Sequence, residues 1–589
     1  GPGSTVSRAI YGWPDFYPAA GRATKCIMML GANPERAARG LWRSILTSVN
    51  GGAKLIVVDP RQTAATERAD MWLQLRPGTD CALYMAMINV TIEEQLYDKE
   101  FVSKWCYGFD ELAERVKDYP PEKAAEISRV PAETIREAAR MYAANRPAII
   151  IHTMGIEHLT NSIEAIHARY ILTAITGNID IRGGEEMRST YPQLIKDVEI
   201  ELPDSIPPEQ EKKQIGYDRF GLMSRKGYTL INKTSKCPLG IGHASFAHAP
   251  MVYRAMITGE PYPVRAMLTA ASNPLVTQPN TKLVYEALKS LDLYVVHDYW
   301  MTPSADVADY VLPAASWLER PGIFNYWDSN SFVYANEAVV PPVLEGQYDR
   351  RPDYDVWCGL GMRMGQKEYW PWDTFEDALS YRLEPFGYGS LPEFIKKTGG
   401  VVRPVKEEKK YEKEGFGTPT GKVELSSTIM EQLGYDPLPQ YREPPESPVS
   451  TPELNEEYPC ILITGARHQP FYHSEHRQIA SLRKQHPDPL VQVHPETASG
   501  LDIADGDWVW IETPRGRIKQ RCQYFKGMDP GVVQAQHGWW FPELPAEEPS
   551  LHGVWESNIN VVTDDDPDSC NTLSGGWPLR ALLCRIYKV

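Results

Sequence analysis

The chain has 589 residues, with 61 Lys and Arg against 77 Asp and Glu, which gives a formal net charge of −16. This acidic balance, without basic clusters, argues against a nucleic-acid-binding protein. No apolar run reaches the roughly 18 residues that a membrane helix needs, so no membrane span is expected. At about 150 residues per domain, the length predicts several domains with sizeable cores.

The first four residues, Gly1-Pro2-Gly3-Ser4, resemble the remnant of a removed purification tag, so we expect the native sequence to start at or near Thr5. Nine cysteines are scattered along the chain, and no two form a Cys-x-x-Cys pair. This spacing is typical of reduced, buried thiols and favours a cytoplasmic protein. An export signal could precede Thr5.

Apolar runs at 25–30, 54–58, 71–75 and 148–152 alternate with helical patterns. Continuous apolar runs of this length predict parallel strands that are buried on both faces. The alternation is typical of a doubly wound α/β sheet, and the same pattern returns between residues 264 and 313.

Residues 185–262 lose this rhythm and are predicted to form a long insertion. Residues 397–455 are charged and Pro-rich, which predicts a solvated connection. After Tyr458, short alternating strands with Gly/Asp turns indicate a compact β-barrel.

The predicted fold class is therefore α/β, with two related doubly wound α/β domains followed by a C-terminal β-barrel domain. We place the first α/β domain at 5–148, the second at 149–440 with its insertion near 185–262, and the barrel domain at 441–589.

An internal repeat supports two related units. Asn33-Pro34 is followed 26 residues later by Asp59 and 11 residues after that by Asp70, while Asn273-Pro274 is followed by Asp298 after 25 residues and by Asp309 after 11 more. We expect both aspartates at the carboxyl ends of their sheets, where α/β proteins bind ligands.

Each unit has the residues of a nucleotide site. A glycine permits close backbone approach, the helix start can hold a phosphate, and an aspartate at the next strand end can meet a ribose or a base. The alternative is structural, because Asn-Pro is a common helix start and Asp-Pro a common turn. The pairing favours nucleotide binding, although neither a Gly-x-Gly-x-x-Gly motif nor a P-loop is present.

Together these segments resemble the dimethyl-sulfoxide-reductase family of molybdopterin oxidoreductases. Within that family the sequence is most similar to acetylene hydratase and to the pyrogallol transhydroxylase and catechol dehydroxylase group. The segments that carry the resemblance are Gly31-Ala32-Asn33-Pro34, Val58 to Thr63, Leu75 to Asp80, Ser272-Asn273-Pro274, Ala305 to Pro313, Thr464-Gly465-Ala466-Arg467 and Asn560 to Thr563.

The resemblance implies a bis-molybdopterin guanine dinucleotide cofactor with molybdenum or tungsten, and so explains the repeat. It assigns one dinucleotide to the first unit, the other to the second, and the pterin and phosphate groups to the barrel, with Met154 and His158 near the metal and His158 as the candidate catalytic residue. The implied cofactor-binding residues are Gly31, Asn33, Asp59, Arg61, Gly78, Asp80, Met154, His158, Asn273, His297, Asp298, Arg320, Asp355, Thr464, Gly465, Arg467, His473, Asn560 and Arg580.

The family's N-terminal domain, which holds a [4Fe-4S] cluster, has no counterpart in this sequence, and no residue here matches the metal ligand. Cys26 lies inside the first predicted strand, which is the wrong place for that ligand. We therefore expect a large fragment that is itself inactive, whose partners are the missing domain, a small-molecule substrate and an iron–sulfur electron-transfer subunit.

Three functions follow from the resemblance. The first is oxygen-atom transfer or (de)hydroxylation of a small molecule in anaerobic metabolism. The second is a hydratase without net redox change, and the third is an inactive scaffold that binds a guanine nucleotide. His468, His473 and His476 could form a metal cluster, but a polar loop after a strand is the simpler interpretation; His537 could face the cofactor.

Overall fold

The computed structural model describes residues 2–13, 20–187, 193–238, 240, 245–325, 332–340, 349–403 and 407–589. The strands in these ranges are β1 (Cys26–Leu30), β2 (Lys54–Val58), β3 (Met71–Leu73), β4 (Cys106–Tyr107), β5 (Ala148–His152), β6 (Ala266–Ala270), β7 (Leu293–Asp298), β8 (Tyr310–Pro313), β9 (Gly322–Phe324), β10 (Val333–Asn336), β11 (Val401–Val402), β12 (Val423–Glu424), β13 (Cys460–Thr464), β14 (Leu490–Val493), β15 (Trp508–Thr513), β16 (Gly516–Tyr524), β17 (Val532–Ala535) and β18 (Leu582–Lys588).

The helices up to residue 258 are Pro2–Tyr11, Pro34–Ala37, Arg39–Asn50, Asp80–Glu93, Lys99–Trp105, Phe109–Arg115, Pro121–Ser128, Ala132–Ala144, Met154–Glu157, Ser162–Ile175, Asp197–Ile200, Pro208–Glu211, Arg225–Asn232 and Ala249–Thr258. Those that follow are Pro274–Thr277, Thr281–Lys289, Pro303–Asp306, Asp353–Arg363, Phe375–Leu383, Leu391–Thr398, Tyr411–Glu414, Thr428–Gln432, Pro452–Glu457, Ala480–Arg483, Pro495–Gly500 and Val554–Ser557. In the described part of the chain, no helix is long and apolar enough to cross a membrane.

The first sheet has four parallel strands in the order β3-β2-β1-β5. Successive side chains of β1 enter two different buried layers, with Met28 on one face and Met29 on the other. Helices cover both faces, so the continuous apolar runs have no solvated side. The predicted α/β fold with a doubly wound sheet is confirmed.

The first sheet extends past the domain boundary expected between residues 148 and 149. That boundary falls inside β5, which pairs with β1 along its whole length. The helix Ser162–Ile175 then packs on the helix Asp80–Glu93 in the same core. The segment therefore lies with the first unit, because all its apolar faces are buried there.

Residues 407–440 also differ from expectation. They are not a solvated connection, because Tyr411, Phe416 and Ile429 are buried in the core of the first unit and β12 pairs with β4. The apolar residues lie between charged ones, so composition alone hid them. The helix Pro2–Tyr11 belongs to this core too and includes part of the segment we attributed to a tag.

The free edge of β5 is covered by side chains rather than by another strand. Glu185 Oε1 accepts from Ile150 N at 2.8 Å, and Arg169 Nη2 donates to Ile150 O at 2.6 Å. Arg169 and Glu185 form an ion pair of 2.7 Å, and both side chains are fully buried. Together they take the place of a neighbouring strand at this residue.

The second sheet has three parallel strands, in the order β6-β7-β8. Tyr294 and Val296 of β7 pack against the helices Ala249–Thr258 and Thr281–Lys289. The insertion between the two sheets, where described, joins distant parts of the chain, since the His248 side chain bonds Gly575 O and Arg254 pairs with Asp565.

The C-terminal region forms a closed barrel of six strands in the order β13-β17-β14-β16-β15-β18, which confirms the predicted barrel. The barrel contacts both α/β units. Arg61 Nε donates to Gln492 Oε1 at 2.7 Å on one side, and Asn560 Nδ2 donates to Val276 O at 2.8 Å on the other. The three parts therefore enclose a common space.

Candidate functional site

A cavity of about 830 Å³ lies between the carboxyl ends of the two parallel sheets and the barrel. This size is at the large end of the range for small-molecule sites. Sixteen of the nineteen residues predicted to bind cofactor line it. They are Gly31, Asn33, Asp59, Arg61, Gly78, Asp80, Met154, His158, Asn273, Asp298, Thr464, Gly465, Arg467, His473, Asn560 and Arg580.

The remaining three predicted residues do not line the cavity. His297 is buried behind Asp298, with its Nε2 3.1 Å from Arg351 O and its Nδ1 3.5 Å from Asp353. Arg320 Nη1 lies 3.3 Å from the same Asp353 carboxylate. Asp355 follows on the helix Asp353–Arg363. A role for His297, Arg320 and Asp355 in binding remains a prediction.

The two units present their asparagines with matching geometry. Asn33 has φ −125° and ψ 72°, and Asn273 has φ −124° and ψ 71°. Each asparagine precedes a proline that opens a single helical turn. The residues two positions earlier, Gly31 and Ala271, both adopt a positive φ. The repeat seen in the sequence is therefore a repeat of backbone structure.

The aspartates of the repeat also match. Asp59 Oδ1 accepts from Arg61 N at 2.9 Å, and Asp298 Oδ1 accepts from Trp300 N at 3.1 Å. Both follow the second strand of their sheet, at its carboxyl end. This arrangement leaves the outer carboxylate oxygen of each aspartate for a ligand.

Carboxyl groups near Arg580 give the first unit its electrostatic character. Burial raises the pKa of Asp59 to about 7, against the lowering effect of Arg61 N–H and of the Arg61 and Arg580 charges. Burial likewise raises the pKa of Asp80 to about 6 and lowers that of Arg580 to about 10. Two buried acids thus face one buried cation, an arrangement suited to a ligand that offers further hydrogen-bond donors.

The loop after β5 passes very close to the loop after β1. A Cβ added to Gly31 would lie 2.9 Å from Gly155 Cα, so both positions need glycine. This contact positions Met154 and His158 at the cavity wall. Burial lowers the pKa of His158 to about 3, so its imidazole is neutral and can accept or donate a hydrogen bond.

Several cavity residues were not predicted from the sequence. Trp300 and Trp577 line the cavity, and each has a buried indole N–H without a partner among the described residues. Gln534, from β17, lines it too and has an unpaired Oε1. In a chain with 16 tryptophans nothing marked these two, although Trp300 lies two residues after the predicted Asp298.

Unpaired polar atoms test whether the residues present suit a guanine dinucleotide. Asn33 Oδ1 and Asn273 Nδ2 are buried and unpaired in the described structure, at equivalent places in the two units. Together with the two indole donors and the acids near Arg580, they offer both donors and acceptors. Such a mixture suits the guanine edge, which carries an acceptor beside its N–H donors. Unpaired buried polar atoms are costly, so the cavity requires a polar ligand.

Comparison with known proteins agrees with this geometry. A family model described as molybdopterin oxidoreductase matches residues 21–363, and one described as molydopterin dinucleotide binding domain matches residues 461–574. Acetylene hydratase of Syntrophotalea acetylenica is 36% identical over 99% of this chain and 80% of its own length. Dopamine dehydroxylase of Eggerthella lenta is 30% identical over 80% of this chain, but over only 52% of its own length.

Among solved structures, acetylene hydratase from Pelobacter acetylenicus superposes with a TM-score of 0.93 at 36% identity, covering 100% of this chain and 81% of that one. The chain belongs to the molybdopterin oxidoreductase family. Its relatives are enzymes, and the matched domains are those of a molybdenum or tungsten bis-molybdopterin guanine dinucleotide catalytic subunit. In the ranges the structure describes, no three His, Cys, Asp or Glu residues form a group that could hold a metal ion directly.

Proposed function

We propose that this protein is a hydratase that adds water to a small unsaturated molecule, such as an alkyne, without net redox change. The carrying observation is the match to acetylene hydratase, which extends over 99% of this chain at 36% identity. The cavity supports this choice, because most of its lining is apolar and suits a small apolar substrate.

The bis-molybdopterin guanine dinucleotide, when bound, supplies a molybdenum or tungsten centre that can polarise a ligand. In our proposal Asn33, Asp59 and Asp80 hold the guanosine end of one dinucleotide. Asn273 and Asp298 hold the other. Thr464, Gly465, Arg467, Asn560 and Arg580, from the barrel side, hold phosphate and pterin groups.

His158 is the candidate catalytic residue. Its neutral imidazole lies deep in the cavity beside the loop 154–157, with the Arg580 charge opposing its protonation. A neutral imidazole can orient water by accepting its proton, and the apolar walls keep other water out. A proton that reaches His158 is readily released again, because its pKa is far below neutrality.

The second candidate is reductive dehydroxylation, which the dopamine dehydroxylase relative favours. This reaction consumes two electrons and two protons, and it therefore needs an electron-transfer partner. A hydratase turnover needs no external electrons. Electron demand therefore separates the two.

The test uses protein produced anaerobically in a host that makes the cofactor. Incubated with acetylene, it should form a carbonyl product at a rate that is independent of added electron donor after initial activation. The control is an Asp59→Asn, Asp298→Asn double variant, which should lose guanine contacts and retain less metal. Removal of a catechol hydroxyl only with continuous reductant, and no product from acetylene, would establish the second candidate instead.

A further inference from the structure

Four of the 13 histidines, His468, His473, His486 and His537, lie together where the barrel meets the cavity. Two of them are joined in a line that starts at the surface. His473 Nδ1 lies 3.2 Å from His537 Nε2, and Arg467 Nη2 lies 2.8 Å from His473 Nε2. The other two histidines stack on each other beside this line.

The hydrogen positions along this line follow from the arginine. A guanidinium can only donate, so His473 Nε2 must accept and carry no hydrogen. A neutral His473 therefore has its hydrogen on Nδ1 and donates it to His537 Nε2. A neutral His537 must then carry its own hydrogen on Nδ1. That atom is buried and has no partner in the described structure.

Both rings are held neutral by their surroundings. Burial and the Arg467 charge lower the pKa of His473. Burial, with contributions from His473, Arg477, Arg580 and His468, lowers the pKa of His537 well below its usual value. The tautomer assignment therefore applies at neutral pH.

The two ends of the line face different environments. His473 is exposed, and Arg467 lies over the ring of Tyr472, whose side chain is 52% exposed. At the inner end, His537 lines the cavity between Gln534 and Trp540. The line thus connects solvent to the cavity through two rings.

We propose that His473 and His537 form a proton relay between solvent and the reacting molecule, with Arg467 as its outer gate. When Arg467 moves away, water protonates His473 Nε2. His473 Nδ1 passes its proton to His537 Nε2, and His537 Nδ1 gives its proton to the molecule in the cavity. One proton enters and one leaves, so both rings end neutral, each with its hydrogen on Nε2. Exchange in the opposite direction restores the starting tautomers and can carry a proton out.

The direction of use rests on the proposed function, because hydration both takes up and releases protons at the substrate. The relay itself does not rest on it. A merely structural pair would keep the cofactor in place but would not move protons. Measurements of the rings themselves therefore decide the proposal separately from activity.

The first test is nitrogen NMR of histidine-labelled protein near pH 7.5. His473 and His537, assigned from the spectra of the His473→Gln and His537→Gln variants, should both appear as Nδ1–H tautomers, the minority form of a free neutral imidazole. His486→Gln is the control and should leave both signals in place. An Nε2–H tautomer or a charged ring at either residue overturns the proposal.

The second test is the solvent exchange rate of the His537 Nδ1–H in protein that carries its cofactor. Exchange through the relay should slow by about tenfold in His473→Gln, whereas His486→Gln should have no effect. An unchanged rate in His473→Gln overturns the relay, whatever reaction the enzyme performs.

Turnover gives a third measurement once a substrate is established. His537→Ala should lower kcat by about 10²-fold, as expected for the loss of a proton-transfer group, and added imidazole should restore part of it. Loss of bound metal without rescue by imidazole would assign His537 to cofactor positioning and overturn the relay.

Discussion

Gly31 and Ala271 adopt nearly the same left-handed backbone conformation, with φ of 52° and 51°. Gly31 N donates to Val58 O, and Ala271 N donates to His297 O, so both residues leave the first strand of their unit by the same route. The first unit uses the residue that favours this conformation, whereas the second tolerates the strain of a Cβ.

This pair predicts unequal effects of exchange. Gly31→Ala should lower the free energy of unfolding by about 2 kcal/mol or more, because strain adds to the contact of the new Cβ with Gly155. Ala271→Gly should be neutral or stabilising by up to about 1 kcal/mol, since relieved strain offsets the entropy of the unfolded chain. Urea denaturation of both variants measures this. Gly52→Ala, with positive φ and open space around it, reports strain alone.

The buried ion pair on the edge of β5 predicts a large loss of stability. Glu185→Ala leaves Arg169 charged and buried, and leaves Ile150 N–H without an acceptor, so we expect a cost of roughly 3–5 kcal/mol. The control is Glu94→Ala, which removes an exposed 2.8 Å pair with Arg140 and should cost about 1 kcal/mol or less. Equal losses in the two variants would contradict the strand-like role of the buried pair.

The raised pKa values of Asp59 and Asp80 predict a pH dependence of stability in cofactor-free protein. Each acid ionises near pH 4 when unfolded but near 7 or 6 when folded. Between these values the folded protein binds more protons, so the free energy of unfolding should fall as pH rises from about 4 to about 7. An Asp59→Asn, Asp80→Asn double variant should show a flatter profile in urea titrations. An identical slope in the variant would place the titration elsewhere.

The equivalence of Asp59 and Asp298 predicts matched effects on guanine binding. Asp59→Asn and Asp298→Asn should each weaken binding of a guanine nucleotide by roughly 1–3 kcal/mol, the cost of spoiling a charge-assisted hydrogen bond. Adenine nucleotides should be little affected, which calorimetry with both can check. Equal losses for the two bases would show that the aspartates do not recognise guanine.

The cysteines predict the iron content of this chain. All nine are free thiols, eight of them buried, and none are spaced for a cluster. We expect elemental analysis of the purified chain to find essentially no iron. Close to four iron atoms per chain would contradict this expectation.

Much of the architecture was predictable because its signals are local. The strands β1, β2 and β5 are continuous apolar runs, and the repeat around Asn33 and Asn273 has fixed spacing. The extent of the first unit was not predictable, because β5 and the residues around Phe416 join it through contacts distant in sequence. Trp300 and Trp577 were missed for the same reason, since only the folded chain brings them to one cavity.

The barrel holds Arg61 of one unit and Val276 of the other, and so spans the cavity between them. A molecule as large as a dinucleotide cannot pass while both attachments persist. Its departure rate is then set by how often the barrel lifts, an opening of the protein that excess free ligand does not accelerate. Loading should accordingly be easiest during folding, before the barrel docks, and exchange afterwards should be slow even where equilibrium affinity is modest.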